Sequence, residues 1–209
     1  MSKLLLVRHG RTAWHAEGRY AGTADVPLDD VGKQQVARVV ERLSPVEFAA
    51  IFTSPLSRCH ELALAVAEEH GQGAITDKRL GEIDLGRWDG ETFKDILAKD
   101  GDILKRWTED PTSITVPGGE SLLSVQDRAM AWFAEATAAH PDGIIMASSH
   151  GGPIRAIISA VLGLPLGHLF RLTVDLASVT TINYKGMFSN LEELNDRCHL
   201  DGLDASSWL

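Results

Sequence analysis

The chain has 209 residues, a length that suits one α/β domain with a full core, and it sets 20 lysines and arginines against 29 acidic residues for a formal charge of -9. That balance excludes a broad basic face for nucleic acid or anionic membranes, and leaves room for a few arginines focused on one small phosphorylated metabolite. Two cysteines give no disulfide framework, no apolar run approaches a membrane span, and the first apolar run comes too early for a secretory signal, so a cytoplasmic protein is expected.

The first element is a strand over 3–8, whose run Leu4-Leu5-Leu6-Val7 delivers Arg8 and His9 into Gly10. Over 30–43, Val36, Val39, Val40 and Leu43 recur at helical spacing. A strand over 50–53 leads through Ser54-Pro55 into a helix over 56–69 that carries Arg58, and a short strand over 74–76 follows. Between 80 and 121 the pattern changes. Charged helical pieces over 92–99 and 103–109 are joined through Asp110-Pro111 and Pro117-Gly118-Gly119, which reads as an insertion capping the sheet.

A helix over 122–139, a strand over 143–148 ending in Ser149-His150-Gly151-Gly152, a helix over 153–162 and a strand over 178–184 complete the series. Residues 169–174 are expected to pair with that last strand as an antiparallel edge. Pro55 and Pro153 suit first-turn positions, where the absent N–H would have had no partner. Trp107, Trp132 and Phe133 read as core, whereas Trp14 and Trp88 lie in loops leading from the strand ends.

The alternation predicts one α/β domain over 1–209, a three-layer sandwich. It has a mostly parallel central sheet with one antiparallel edge strand, helices on both faces and a small helical cap over 80–121. In such a sheet the ligand crevice lies beyond the carboxyl ends of the strands, where Arg8, His9, Arg58 and His150 all stand.

Seven motifs occur in order along the chain: Arg8-His9-Gly10 with Thr12; Gly18-Arg19-Tyr20-x-Gly22; Asp25-x-Pro27-Leu28; Ser54-Pro55-Leu56-x-Arg58; Glu82 with Gly86-x-Trp88-x-Gly90; Gly118-Gly119-Glu120-Ser121; and Ser149-His150-Gly151. With them the chain resembles the histidine phosphatase superfamily, on the branch that includes cofactor-dependent phosphoglycerate mutase and its phosphatase relatives. The resemblance implies a phosphomonoesterase with His9 as nucleophile, Arg8, Arg58 and His150 on the phosphoryl oxygens, and Glu82 as general acid, with Asp84 the competing carboxyl. It places Thr12, Tyr20 and Gly22 near the phosphate. His15 stands where relatives carry an asparagine, and Gly10 and Gly151 are expected to let backbone N–H groups approach the same oxygens. Apart from His9 and His150, the histidines His15, His60, His70, His140, His168 and His199 read as structural on their own contexts.

No metal or cofactor is implied, since side chains carry the charge. The neighbours Cys59-His60 and Cys198-His199 lack the spacing of about two to four residues usual in zinc clips. Phosphatase is preferred to mutase because the chain lacks the longer mutase insertion. Two narrower resemblances compete. Glu82-Ile83-Asp84-x-Gly86-x-Trp88 with Asn195-x-x-Cys198-His199-Leu200 is similar to metal-independent phosphoserine phosphatases, which place a histidine where this chain has Leu85. Ser149-His150-Gly151-Gly152, with Arg171, Asp175 and Ser178, is similar to α-ribazole phosphatases. A rival of another class is a phosphate-binding or phosphohistidine-signalling module without turnover. The apolar end Ala205-Ser206-Ser207-Trp208-Leu209 leaves three alternatives open, docking on its own domain, on a partner subunit or nowhere, and a homodimer is the expected assembly.

Overall fold

The computed structural model describes residues 2–186 and 188–203. In chain order its elements are β1 (Ser2–Arg8), the single turn α1 (Ala13–Ala16), α2 (Asp30–Leu43), β2 (Ala50–Thr53), α3 (Ser57–Glu69), β3 (Ala74–Thr76), α4 (Phe93–Glu109), α5 (Leu122–Ala139), β4 (Ile144–Ser149), α6 (Gly151–Leu162), β5 (Val179–Lys185) and β6 (Phe188–Asp196). The apolar end at 205–209 lies outside the described residues.

The six strands form one sheet in the order β3-β2-β4-β1-β5-β6. The first four run parallel, β5 runs antiparallel to β1, and β6 runs antiparallel to β5. Side chains alternate across this sheet, so each strand feeds both layers. Leu4 and Leu6 of β1 face α5 and α6, packing with Trp132, Phe133, Ile154 and Ile157. Leu5 and Val7 face the opposite layer with Val36 and Val39 of α2 and Leu62 and Val66 of α3. Each of these β1 side chains is fully or nearly fully buried, which contributes roughly 1.5–3 kcal/mol apiece. The expected three-layer sandwich is what forms, with Trp132 and Phe133 in its core.

The antiparallel edge is built differently from expectation. Residues 169–174 form no strand; Leu166–Arg171 is a 3-10 helix that follows Pro165. The ladder position beside β5 is taken by β6, whose sequence Phe-Ser-Asn-Leu-Glu-Glu-Leu-Asn-Asp lacks β-branched residues and so hides its strand character.

The cap has its own apolar cluster, in which Ile83, Leu85, Trp88, Ile96, Leu104 and Trp107 pack together and reach Leu122 and Ala156. The two helical pieces expected at 92–109 run together as α4 across a kink at Asp100. Asp100 accepts the indole N–H of Trp88 at 2.8 Å, tying that kink to the loop below. Among the described residues no helix is long and apolar enough to cross a membrane.

Candidate active site

Four chain segments meet at the carboxyl ends of β1, β4 and β2. The parallel register sets Arg8 opposite Ser149, and the next N–H, that of His9, donates to Ser149 O at 3.1 Å. The backbone N–H of Ser54, just past β2, donates to Ser148 O at 3.0 Å, and four residues on Arg58 enters the first turn of α3. The strand ladder thus brings His9, His150 and Arg58 together without help from the loops.

His9 is almost wholly buried, and its Nδ1 lies 2.7 Å from Gly10 O. A carbonyl only accepts, so Nδ1 carries the proton and Nε2 keeps its lone pair. Burial holds His9 well below the usual imidazole range, and Arg58, His150, His15 and Arg8 push it further the same way. A neutral ring with a free Nε2 is the nucleophilic form of histidine. The ring of His150 stands edge-on to that of His9, with centroids 5.0 Å apart. His150 Nε2 lies 2.7 Å from Ser54 Oγ and 3.3 Å from Cys59 Sγ, and burial, with Arg58 and Arg8, keeps it neutral too.

Both arginines are anchored through part of their guanidinium groups. Arg58 is completely buried, donating from Nη1 to Ala24 O and from Nη2 to Gly22 O, each at 2.8 Å. Arg8 donates from Nη1 to Val174 O at 2.6 Å. Among the described residues each keeps a buried Nε–H with no hydrogen-bond partner, the kind of donor that a phosphoryl oxygen would satisfy. Burial, then Arg155, lowers Arg8 to about 10, so it remains a cation at neutral pH.

Glu82 reaches the same place from the cap. Its Oε1 accepts from the backbone N–H of Ile83 at 2.9 Å and of Gly152 at 3.1 Å, while Oε2 has a longer contact of 3.4 Å with Gly152. Asp84, the competing carboxyl, instead caps its own turn by accepting from Gly86 N–H.

The remaining expected contacts divide. His15 is buried with its ring centroid 5.4 Å from that of His9, and its Nδ1 accepts from the hydroxyl of Thr12 at 2.8 Å. Nε2 therefore carries the proton, and burial, with Arg8 and Arg58, pulls His15 down to about 3. Thr12 and His15 are thus part of the cluster as a pair. Gly22 supports Arg58 through its carbonyl, and Tyr20 packs against the cap cluster with its backbone paired to Gly90 and Glu91.

Gly10 and Gly151 are needed for close packing. A Cβ on Gly10 would lie 2.7 Å from Gly32 O of α2, and one on Gly151 would lie 2.7 Å from Arg155 Nη1. Trp88 is buried in the cap core, and Trp14 covers Gly90.

Arg155 is the residue that sequence reasoning passed over. It lies one turn into α6 and reaches back over Gly151, where the guanidinium of Arg8 is also within 4 Å of the same point. It is over nine-tenths buried and donates from Nε to Leu172 O at 2.8 Å. Its signal was an arginine inside the apolar run Ile154 to Ile158, where a charge is out of place unless the fold uses it. Three buried guanidinium groups and three neutral imidazoles, influenced by Glu82 and Asp175, focus positive potential in a chain of net charge -9. Among the described residues no group of His, Cys, Asp or Glu is arranged to hold a metal ion.

Fold and site together define a phosphatase of the α/β class, built around a buried histidine. The chain belongs to the histidine phosphatase superfamily (branch 1), whose family model matches residues 4–197. It is 34% identical to phosphoserine phosphatase 1 of Hydrogenobacter thermophilus, over 96% of this chain and 95% of that one. Among solved structures, Bacillus stearothermophilus YhfR superposes with a TM-score of 0.91 at 31% identity, covering 96% of this chain and all of its own. The alpha-ribazole phosphatase from Shigella flexneri superposes with a TM-score of 0.85 at 25% identity, covering 93% and 96%.

Proposed function

We propose that the chain hydrolyses a small phosphomonoester in two steps through a phosphohistidine at His9. The observation that carries this reading is the His9 Nδ1 contact to Gly10 O, which leaves Nε2 as the lone-pair atom amid Arg8, Arg58 and His150. In the first step Nε2 attacks phosphorus, the bond to the leaving oxygen breaks, and that oxygen takes a proton from Glu82. In the second, water attacks the phosphoryl group, gives its proton to Glu82 and breaks the P–N bond, releasing inorganic phosphate and restoring neutral His9.

Each part of the site has a task in this scheme. Arg8 and Arg58 hold two oxygens through their unpartnered Nε–H groups, and His15, with its proton on Nε2, is a further neutral donor. The N–H groups of Ile83 and Gly152 hold Glu82 chiefly through Oε1, and Oε2, with only the longer 3.4 Å contact to Gly152, is the oxygen assigned to carry the proton. Retention of Glu82 in this position favours turnover over a binding module, which has no use for an acid.

Phosphoserine is the first substrate to test, because phosphoserine phosphatase 1 of Hydrogenobacter thermophilus matches this chain almost end to end. Leu85 counts against it, being buried among Ile83 and Trp88 where those enzymes place a histidine. A panel of phosphoserine, α-ribazole phosphate, phosphoglycerates and sugar phosphates ranks the candidates by kcat/KM. Release of phosphate from an aryl phosphate at pH 5 to 8, abolished by His9→Ala and unaffected by chelators, is the expected result. Equal rates for parent and His9→Ala would sink the hydrolase reading, and transfer between phosphoglycerates faster than hydrolysis would favour a mutase.

A further inference from the structure

Loop 172–178 lies against the site, in contact with Arg8, His9 and Arg155. Its carbonyls do the anchoring: Leu172 O takes Arg155 Nε, Val174 O takes Arg8 Nη1, and Ser178 O takes the backbone N–H of Arg8. Ala177 N–H donates to His9 O at 3.0 Å. The loop therefore sets both the side chain of Arg8 and the main chain of the Arg8-His9 pair. It does so in a strained conformation, for Ala177 has a φ of 55, in the left-handed region that a residue with a Cβ adopts at a cost. Such a conformation persists where its surroundings hold it.

The far side of the loop is held by the edge strand. Asn195 is the penultimate residue of β6 and lies within the irregular pairing with β5, between Glu193 and Asp196, and it too has a left-handed φ of 56. Its side chain forms a reciprocal pair with Asp175: Oδ1 accepts the Asp175 N–H at 2.6 Å, and Nδ2 donates to Asp175 Oδ2 at 3.0 Å. The Asn195 N–H is itself donated to Thr180 Oγ1 at 3.2 Å. Arg197 pairs with Asp175 at 2.9 Å, and His199 Nε2 donates to Ala177 O at 2.9 Å. Asp175 is the residue next to Val174, so the amide that Asn195 grips shares a peptide unit with the carbonyl that grips Arg8.

We infer that Asn195 is a positioning residue for the phosphoryl-transfer site, acting through the Asp175 N–H and Val174 O to set the guanidinium of Arg8. Only a short amide in the left-handed conformation can both cap the bulged end of β6 and offer an acceptor and a donor to Asp175. A misplaced guanidinium loses the alignment on which in-line transfer depends, even when it remains charged. This role rests on the reading of Arg8 as a phosphoryl ligand.

The test is a double-mutant cycle. Glycine tolerates the left-handed backbone, so Asn195→Gly removes the side-chain pair and leaves the strand end intact. Its kcat/KM on an aryl phosphate is expected to fall about tenfold or more, with affinity for inorganic phosphate falling in parallel. In an Arg8→Lys background the same substitution is expected to change the rate less than about twofold, because the guanidinium that Asn195 positions is gone.

Thr180→Val, which removes only the hydroxyl under Asn195, is a milder second variant. It is expected to lower kcat/KM several-fold with the same dependence on Arg8, and it carries the test should Asn195→Gly fail to fold. Parent-like kcat/KM in Asn195→Gly, or an undiminished loss in the Arg8→Lys background, would overturn the inference. The parent rate and its abolition by His9→Ala test the hydrolase reading separately, so the two failures are distinguishable.

Discussion

The carboxylate of Glu82 and the N–H of Gly152 meet at 3.1 Å, joining the cap to the first turn of α6 across 70 residues of sequence. A side chain at 152 would close that gap, since a Cβ there would collide with Glu82 Oε1. Gly152→Ala is therefore expected to displace the acid, lowering kcat on poor leaving groups by roughly ten- to a hundredfold. Good leaving groups, which need little protonation, are expected to be far less affected. A kcat that falls equally on both kinds of ester would place the damage elsewhere.

Arg58 is held by two carbonyls and offers a third donor to the site, a pattern that a lysine ammonium cannot reproduce. Arg58→Lys is expected to cost about 1–3 kcal/mol of stability from the unpaired carbonyls, and ten- to a hundredfold or more in kcat/KM. Denaturant unfolding and steady-state kinetics on one preparation measure the two losses.

Stability should depend on pH through the buried histidines. His9, His15 and His150 are all depressed in the folded protein, so below about pH 6.5 the unfolded chain binds protons that the native chain does not. Their contribution is fully present above that pH and is lost progressively as the pH falls, down to about 3 for His15. Each such proton steepens the loss by about 1.4 kcal/mol per pH unit. His15→Asn, which keeps a neutral donor and removes one titrating ring, is expected to reduce the slope between pH 6 and 4 by close to that amount. Urea midpoints across this range check it, and an unchanged slope would mean that His15 is protonated in the folded protein.

The sheet and most of the site were legible because both follow from short-range rules. Leu4 to Val7 must be a buried strand, and a buried strand ending in Arg8-His9 places those side chains at the ligand edge. What escaped was set by tertiary contacts. The polar face of β6 disguises it, and the left-handed Asn195 gives no sign of whom it will hold. Arg155 acquires its meaning only when α6 lies beside β1 and carries it to Arg8. For Gly10, expected to let a backbone N–H approach the phosphoryl oxygens, nothing in the sequence signals the close packing against Gly32 that the fold adds.

The proposed mechanism requires that His9 Nε2 become phosphorylated during turnover. Mixing the protein with an aryl phosphate and quenching in base within the steady state preserves any phosphoramidate, and mass spectrometry of the peptides then locates it. A phosphoryl group on His9, lost on brief acid treatment and absent from His9→Ala, is the expected result. An acid-stable adduct on a serine or threonine, or turnover with no adduct on His9 at any time point, would contradict it.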